Sequence, residues 1–145
     1  MYEYEYPRPA VTVDMVVFHN NLQPTSYYGL NVLLIKRGKP PFKGRWALPG
    51  GFLNMNETCE QAAIRETKEE TNADVDLNCQ VGVFDSLDRD PRGRTISVAF
   101  FGYLDSPFEE IEAGDDAAEV EWFSVDDLPK MAFDHKNIII AALEL

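Results

Sequence analysis

Three glutamates crowd the stretch Arg65-Glu66-Thr67-Lys68-Glu69-Glu70-Thr71. An α-helix advances about 100° per residue, so positions three and four apart are surface neighbours. With Glu66 as reference, Glu69 falls roughly 60° to one side and Glu70 roughly 40° to the other. Like charges so spaced destabilise an isolated helix by about 0.2–0.5 kcal/mol per pair. A chain needing only solubility would spread its acids around the helix. A bound divalent cation offsets the repulsion. Hard cations take oxygen ligands, commonly carboxylates with waters and substrate phosphates. Just upstream, Pro49-Gly50-Gly51 lets the backbone pass close to another group and expose its carbonyls. Glu66, Glu69 and Glu70 with a nearby backbone carbonyl therefore form a candidate set for one to three ions. The alternative is a solvated, salt-bridged surface helix.

The elements that must position these groups are legible around them. Thr58 with Gln61 three residues on has the capping-box pattern, which starts the helix after Thr58. Asn72 is a left-handed stop. Small Cys59, Ala62 and Ala63 project near the glutamate face and leave room there, whereas Ile64, Thr67 and Thr71 turn towards a sheet. Residues 11–18, 31–37, 79–86, 95–104 and 119–123 read as strands, and RWALPGGF as a short extended piece. Asp134 caps a last helix through HKNIIIAALEL. Strands in the middle with at least two covering helices make a mixed α/β sandwich.

The 145 residues fit one domain, 1–145, and the 45% hydrophobic fraction supports a packed core. The net charge of −12 argues against a nucleic-acid-binding surface. It leaves room for a small phosphate substrate whose charge is met locally by metal. No stretch approaches a membrane span, and the first residues have neither a basic nor an apolar signal region. Cys59 and Cys79 are the two cysteines, read as reduced thiols of a cytoplasmic protein.

Spelled out, the stretch runs Gly51, five residues, Glu57, seven residues, then Arg65 to Ala73. It resembles the Nudix box, Gly-x5-Glu-x7-Arg-Glu-U-x-Glu-Glu-x-Gly-U, with U a bulky apolar residue. Thr67, Asn72 and Ala73 depart from it, at positions that seat the helix rather than carry charge. The resemblance implies a Nudix-type α/β/α sandwich with a mixed sheet. It also implies Mg²⁺ or Mn²⁺ held by Glu66, Glu69, Glu70 and Gly50, and Arg65 held by Glu57 to orient the carboxylates. The implied reaction is cleavage of a nucleoside diphosphate linked to another moiety.

RPAVTVD, WALPGGF, FDSLDRDPRGRTISVAFFGYL, AGDDAAEVEWF and AFDHKNII resemble one Nudix subgroup, over nearly all of residues 7–142. That subgroup contains ADP-ribose pyrophosphatases and the Nudix domains of transcriptional regulators of NAD metabolism. The substrate it implies is ADP-ribose or a close nucleoside diphosphate sugar, released as AMP and ribose 5-phosphate. Gly50, Gly51, Arg92 and Arg94 are the substrate-binding candidates; guanidinium groups suit phosphate and ribose oxygens. Arg92 and Arg94 serve equally as partner contacts or plain surface charge. Asp116 and Glu119 are candidates for the base that deprotonates water, against a solvated acidic loop from 105 to 119. His135 reads as a capping or structural residue, and Trp46 and Trp122 as core. Relatives also imply a homodimer through the aromatic N-terminal segment. Two other functions compete: a ligand-sensing domain without turnover, and a hydrolase of oxidised nucleoside triphosphates. All box glutamates are present and no winged helix follows residue 145, which favours the enzyme.

Overall fold

The computed structural model describes residues 3–20, 30–114 and 117–145. Strand β1 (Ala10–Asn20) organises the rest. Its side chains alternate between two cores: Val13, Met15 and Val17 enter one, and Val16 and Phe18 the other, all buried. A strand covered on both faces reads as a nearly continuous apolar run, which is how this segment looks in the sequence. Strand β2 (Leu30–Arg37) follows. Two short strands, β3 (Trp46–Ala47) and β4 (Gly50–Phe52), come before helix α1 (Cys59–Thr71). Then come β5 (Val75–Phe84), β6 (Thr95–Leu104), a 3₁₀ turn at Phe108–Glu110, β7 (Ala117–Ser124) and helix α2 (His135–Leu143).

The seven-stranded sheet runs β3-β2-β1-β6-β5, with β4 added on β1 and β7 on β2. Only β1 and β6 pair in parallel among the described strands; the other ladders are antiparallel. The second edge of β1 is shared: β4 takes Thr12–Asp14 and β2 takes Phe18–Asn20. α1 packs on the face with Val13, Met15, Leu33 and Phe100. α2 packs on the opposite face through Ile138, Ile139 and Ala142 against Val16, Phe18 and Leu34. The expected α/β/α sandwich is present.

Both halves of the α1 capping box form: Thr58 Oγ1 accepts from Gln61 N, and Gln61 Oε1 accepts from Thr58 N. Asn72 takes a left-handed φ of 60° and its N–H donates to the Lys68 carbonyl, closing the helix. The expected faces of α1 need correction. Ala62 and Ala63 are fully buried against the sheet, so they line no open acidic face, while Ile64 is 44% exposed. The buried stripe is Ala62, Ala63, Thr67, Glu70 and Thr71. Glu70 thus continues the packing side of the helix rather than a solvated one.

Other boundaries also moved. β5 starts at Val75, four residues before the expected strand, because Val75 to Leu77 pair with Gly102 to Leu104. β7 begins at Ala117 because it follows β2 back to Arg37. Asp134 occupies the N-cap of α2 but makes no capping bond; its carboxylate is taken by Arg89. Trp46 packs edge-on to Phe123, and Trp122 joins the α1-side core, as read from the sequence. Cys59 and Cys79 are free thiols.

Candidate active site

A cleft of about 700 Å³ opens where β1, β4 and α1 meet. Its acidic wall is Glu66, Glu69 and Glu70, its floor Asp14, Gly50, Gly51 and His135, and its far wall Arg37, Lys39, Arg89, Arg92 and Phe133. In a chain of net charge −12, the cleft gathers four basic side chains, Arg37, Lys39, Arg89 and Arg92, beside five carboxylates, Asp14, Glu66, Glu69, Glu70 and Asp90.

The carboxylates are held rather than loose. Arg65 grips Glu57 with two bonds, Nε to Oε2 at 2.9 Å and Nη2 to Oε1 at 2.6 Å. Such a fork fixes the guanidinium plane as well as its charge. Its Nη1 then reaches Glu66 at 2.9 Å and Glu69 at 3.2 Å. Glu57 is set in turn by the Asn54 N–H at 2.9 Å. The Arg65 bond, helped by that N–H, holds the Glu57 carboxyl below its usual range, and the same pairing raises the Arg65 pKa. On the inner side, the Gly50 N–H donates to Glu70 Oε1 at 2.8 Å. β4 is thereby tied to the helix it faces.

Both glycines are required by space. A Cβ on Gly50 would strike the Val13 carbonyl and stand 2.6 Å from Asp14 Oδ1. One on Gly51 would stand 2.7 Å from the Glu66 carboxylate. At Gly50 the obstacle is backbone and cannot move aside, whereas at Gly51 a Cβ would push the Glu66 carboxylate out of its place.

Across the cleft, Arg92 is clamped by Asp90, whose carboxylate accepts from Nε at 3.0 Å and Nη2 at 2.8 Å. Its guanidinium lies 5.1 Å from the Phe52 ring centroid and 5.5 Å from that of Phe133. Burial alone would raise the Asp90 pKa, but the Arg92 side chain and N–H outweigh it and the net direction is down. Arg89, almost fully buried, pairs with Asp134 at 2.7 Å, and that pairing outweighs its burial and raises its pKa.

The structure does not gather every candidate. Arg94 points away, its Nη1 donating to the Asp85 carbonyl at 2.7 Å, and it does not line the cleft. Glu119 lies opposite Lys36 in the β2–β7 ladder and pairs with its Nζ at 3.2 Å, so it too is absent from the cleft. Asp116 lies outside the described residues. Conversely, sequence reasoning missed Asp14 and Ser97. Both sit in apolar strands, and a lone polar residue at a buried strand position was the available signal.

Among the described residues, no three acidic, histidine or cysteine side chains are already grouped to hold an ion. The carboxylates are engaged by Arg65 and the Gly50 N–H. The donor set nonetheless fits a hard cation: carboxylates and a carbonyl, with a glycine where a Cβ would fill the space beside Glu66.

Residues 8–142 match the NUDIX domain family. The chain belongs to the Nudix family. It is 48% identical over 134 residues to an ADP-ribose pyrophosphatase of Methanocaldococcus jannaschii, covering 92% of this chain and 73% of that protein. The NUDIX domain of Shewanella oneidensis NrtR, solved in complex with ADP ribose, superposes with a TM-score of 0.83. Identity there is 28%, over 99% of this chain and 92% of that one. A bifunctional NMN adenylyltransferase/ADP ribose pyrophosphatase from Francisella tularensis, complexed with AMP and a Mn ion, gives 0.78 at 36% identity. It is matched over 97% of this chain but only 43% of its own length. In this Nudix fold the box runs from Gly51 in β4, through the Glu57–Arg65 fork, to Ala73 beyond the α1 stop.

Proposed function

We propose that the protein is a divalent-metal-dependent pyrophosphohydrolase that splits ADP-ribose, or a close nucleoside diphosphate sugar, into AMP and ribose 5-phosphate. The carrying observation is the cleft itself, with a glutamate wall braced by Arg65 and Gly50 facing a wall of Arg37, Lys39 and Arg92. Similarity to an ADP-ribose pyrophosphatase over most of the chain supports the substrate.

Glu66, Glu69 and Glu70, with the Gly50 carbonyl, would hold Mg²⁺ or Mn²⁺. A bound divalent ion supplies charge neutralisation at the diphosphate and a lowered pKa for an attacking water. The chain's own residues do the rest. Arg65 keeps Glu66 and Glu69 aimed into the cleft, and Glu57 stops the guanidinium from swinging away. The Gly50 N–H fixes Glu70, and Gly50 and Gly51 leave the diphosphate room to approach the backbone. Arg92, with Nε and Nη2 on Asp90, meets phosphate or ribose oxygens from the opposite wall. Asp116, outside the described residues, remains the candidate base. Two free thiols support a cytoplasmic setting. Exposed Tyr4 and Tyr6 in the N-terminal segment support a homodimer, and the acidic balance argues against nucleic acid as a partner.

Purified protein with Mg²⁺ should release AMP rapidly from ADP-ribose and slowly from 8-oxo-dGTP. Glu70→Gln should lower turnover by several orders of magnitude without unfolding. Rapid turnover of the triphosphate alone would overturn the substrate. Tight ADP-ribose binding without product would favour the sensing role suggested by the likeness to NrtR.

A further inference from the structure

Beneath Gly50 lies a buried polar chain that the metal chemistry does not itself use. His135, the first residue of α2, is buried, and its Nδ1 accepts the Leu48 N–H at 3.0 Å. A neutral ring that accepts at Nδ1 carries its proton on Nε2, and this atom stands 3.4 Å from Asp14 Oδ1. The other oxygen of Asp14 accepts the Ser97 hydroxyl at 2.5 Å. Burial lowers the His135 pKa, with Asp14 pulling the other way, so the ring is neutral as this bonding requires. Four elements contribute: Ser97 from β6, Asp14 from β1, His135 from α2, and the Leu48–Gly50 backbone between β3 and β4.

The β1–β4 ladder holds one end of that backbone, and the imidazole takes the Leu48 N–H at the other. The Pro49 carbonyl accepts from Met15 N at 2.9 Å, and the Gly50 N–H is spent on Glu70. Asp14 stands directly opposite Gly50 in the β1–β4 register. A phenyl ring would fill the volume of the imidazole, yet it would orphan the buried Leu48 N–H, which costs more than a hydrogen bond contributes. An acceptor is needed at this position, and its placement determines where Gly50 lies.

We propose that His135 is a positioning residue of the metal site. With Asp14 and Ser97 it fixes the Leu48–Gly50 backbone, and so the Gly50 carbonyl and the N–H that orients Glu70. The inference rests on the metal-dependent reading above. It assigns a role in cation binding to a residue of the last described helix, outside the Nudix box. Groups that orient ligands from behind change metal affinity by about ten- to a hundredfold when removed.

The test measures Mn²⁺ binding by titration calorimetry, with AMP present, alongside Mg²⁺ half-saturation and the KM for ADP-ribose. His135→Phe should weaken Mn²⁺ binding about tenfold while leaving the KM at saturating Mg²⁺ within about twofold. His135→Asn, whose Oδ1 replaces Nδ1 as acceptor, should recover most of the affinity. His135→Gln, which reaches only the Nε2 position, should not. Ser97→Ala, the mildest change, should shift affinity in the same direction by about threefold. It decides the matter if the His135 variants do not fold. Wild-type Mn²⁺ affinity in folded His135→Phe, or in Ser97→Ala when that variant decides, overturns the proposal alone. Failure of the wild type to bind Mn²⁺ at all overturns the metal-dependent reading and this inference with it.

Discussion

Gly50 lies across from Asp14 so closely that a single added methyl group would sit 2.6 Å from the carboxylate and also meet the Val13 carbonyl. The contact is with backbone and a buried side chain, neither of which can swing aside. Gly50→Ala is therefore expected to destabilise the fold by about 1–3 kcal/mol, the usual range for overpacking. Urea unfolding should show the midpoint falling at unchanged slope. An unaltered midpoint would mean that β1 and β4 separate more easily than their ladder implies.

The Arg65–Glu57 fork predicts that charge alone is insufficient. Arg65→Lys keeps the cation but cannot span two oxygens of Glu57 while reaching Glu66 and Glu69. Turnover should fall about ten- to a hundredfold, with the KM for substrate little changed. Steady-state kinetics of the lysine variant check this, and a wild-type kcat would show that the bidentate geometry is dispensable.

How much of this was visible in advance follows from sequence separation. The Thr58–Gln61 box, the Asn72 stop and the glutamate spacing on α1 are local, set by backbone geometry within a turn or two, and the sequence displays them directly. The Glu57–Arg65 contact spans eight positions and became legible only through the box pattern. Asp14, Ser97 and His135 converge because β1 and β6 run parallel and α2 crosses behind them, and no local pattern encodes that. The faces of α1 were misjudged for the same reason. Ala62 and Ala63 share a side with the glutamates, and the sheet's placement decides which end of that side is covered. Asp134 has the chemistry of a cap, but a buried arginine 45 positions away outcompeted the helix N–H groups.

That arginine supports a stability prediction. Arg89 is nearly enclosed and Asp134 mostly so, and removing one partner strands the other's charge. Arg89→Leu should cost about 2–3 kcal/mol, less than a fully enclosed pair because Asp134 keeps some solvent contact. Thermal unfolding should show the loss, and adding salt to the wild type should not reproduce it.

His135 makes stability depend on pH near neutrality. Its folded pKa lies below the ordinary 6.5 because of burial, which Arg89 and Arg37 reinforce and Asp14 and Asp134 oppose. The unfolded chain takes up a proton near that value and the folded chain only at lower pH. The stabilisation is therefore complete above about pH 6.5 and declines as pH falls towards the folded pKa. Glu57 and Asp90 titrate normally at 4.5 and 3.8, with folded values lower still, and leave this window clear. Denaturation midpoints from about pH 7.5 to 5.5 should fall in the wild type and stay flatter in His135→Asn. Parallel profiles would show that the imidazole titrates alike in the folded and unfolded chain.

Arg92 and Arg94 provide an internal comparison. One lines the cleft and the other binds carbonyls in its own turn. Arg92→Ala should raise the KM for ADP-ribose about tenfold, the scale of one lost charged hydrogen bond. Arg94→Ala should leave it unchanged. Equal effects would indicate that the turn rearranges when substrate arrives.

If His135 braces Gly50 as proposed, the order in which the chain is synthesised bears on metal binding. Every box carboxylate is made, and its helix can form, well before translation reaches His135. Until α2 docks, the Leu48 amide lacks its imidazole acceptor, and Gly50 has the β1–β4 ladder without that brace. A nascent or partly folded molecule would then carry the whole catalytic motif yet bind metal weakly, sparing nucleotides from premature hydrolysis.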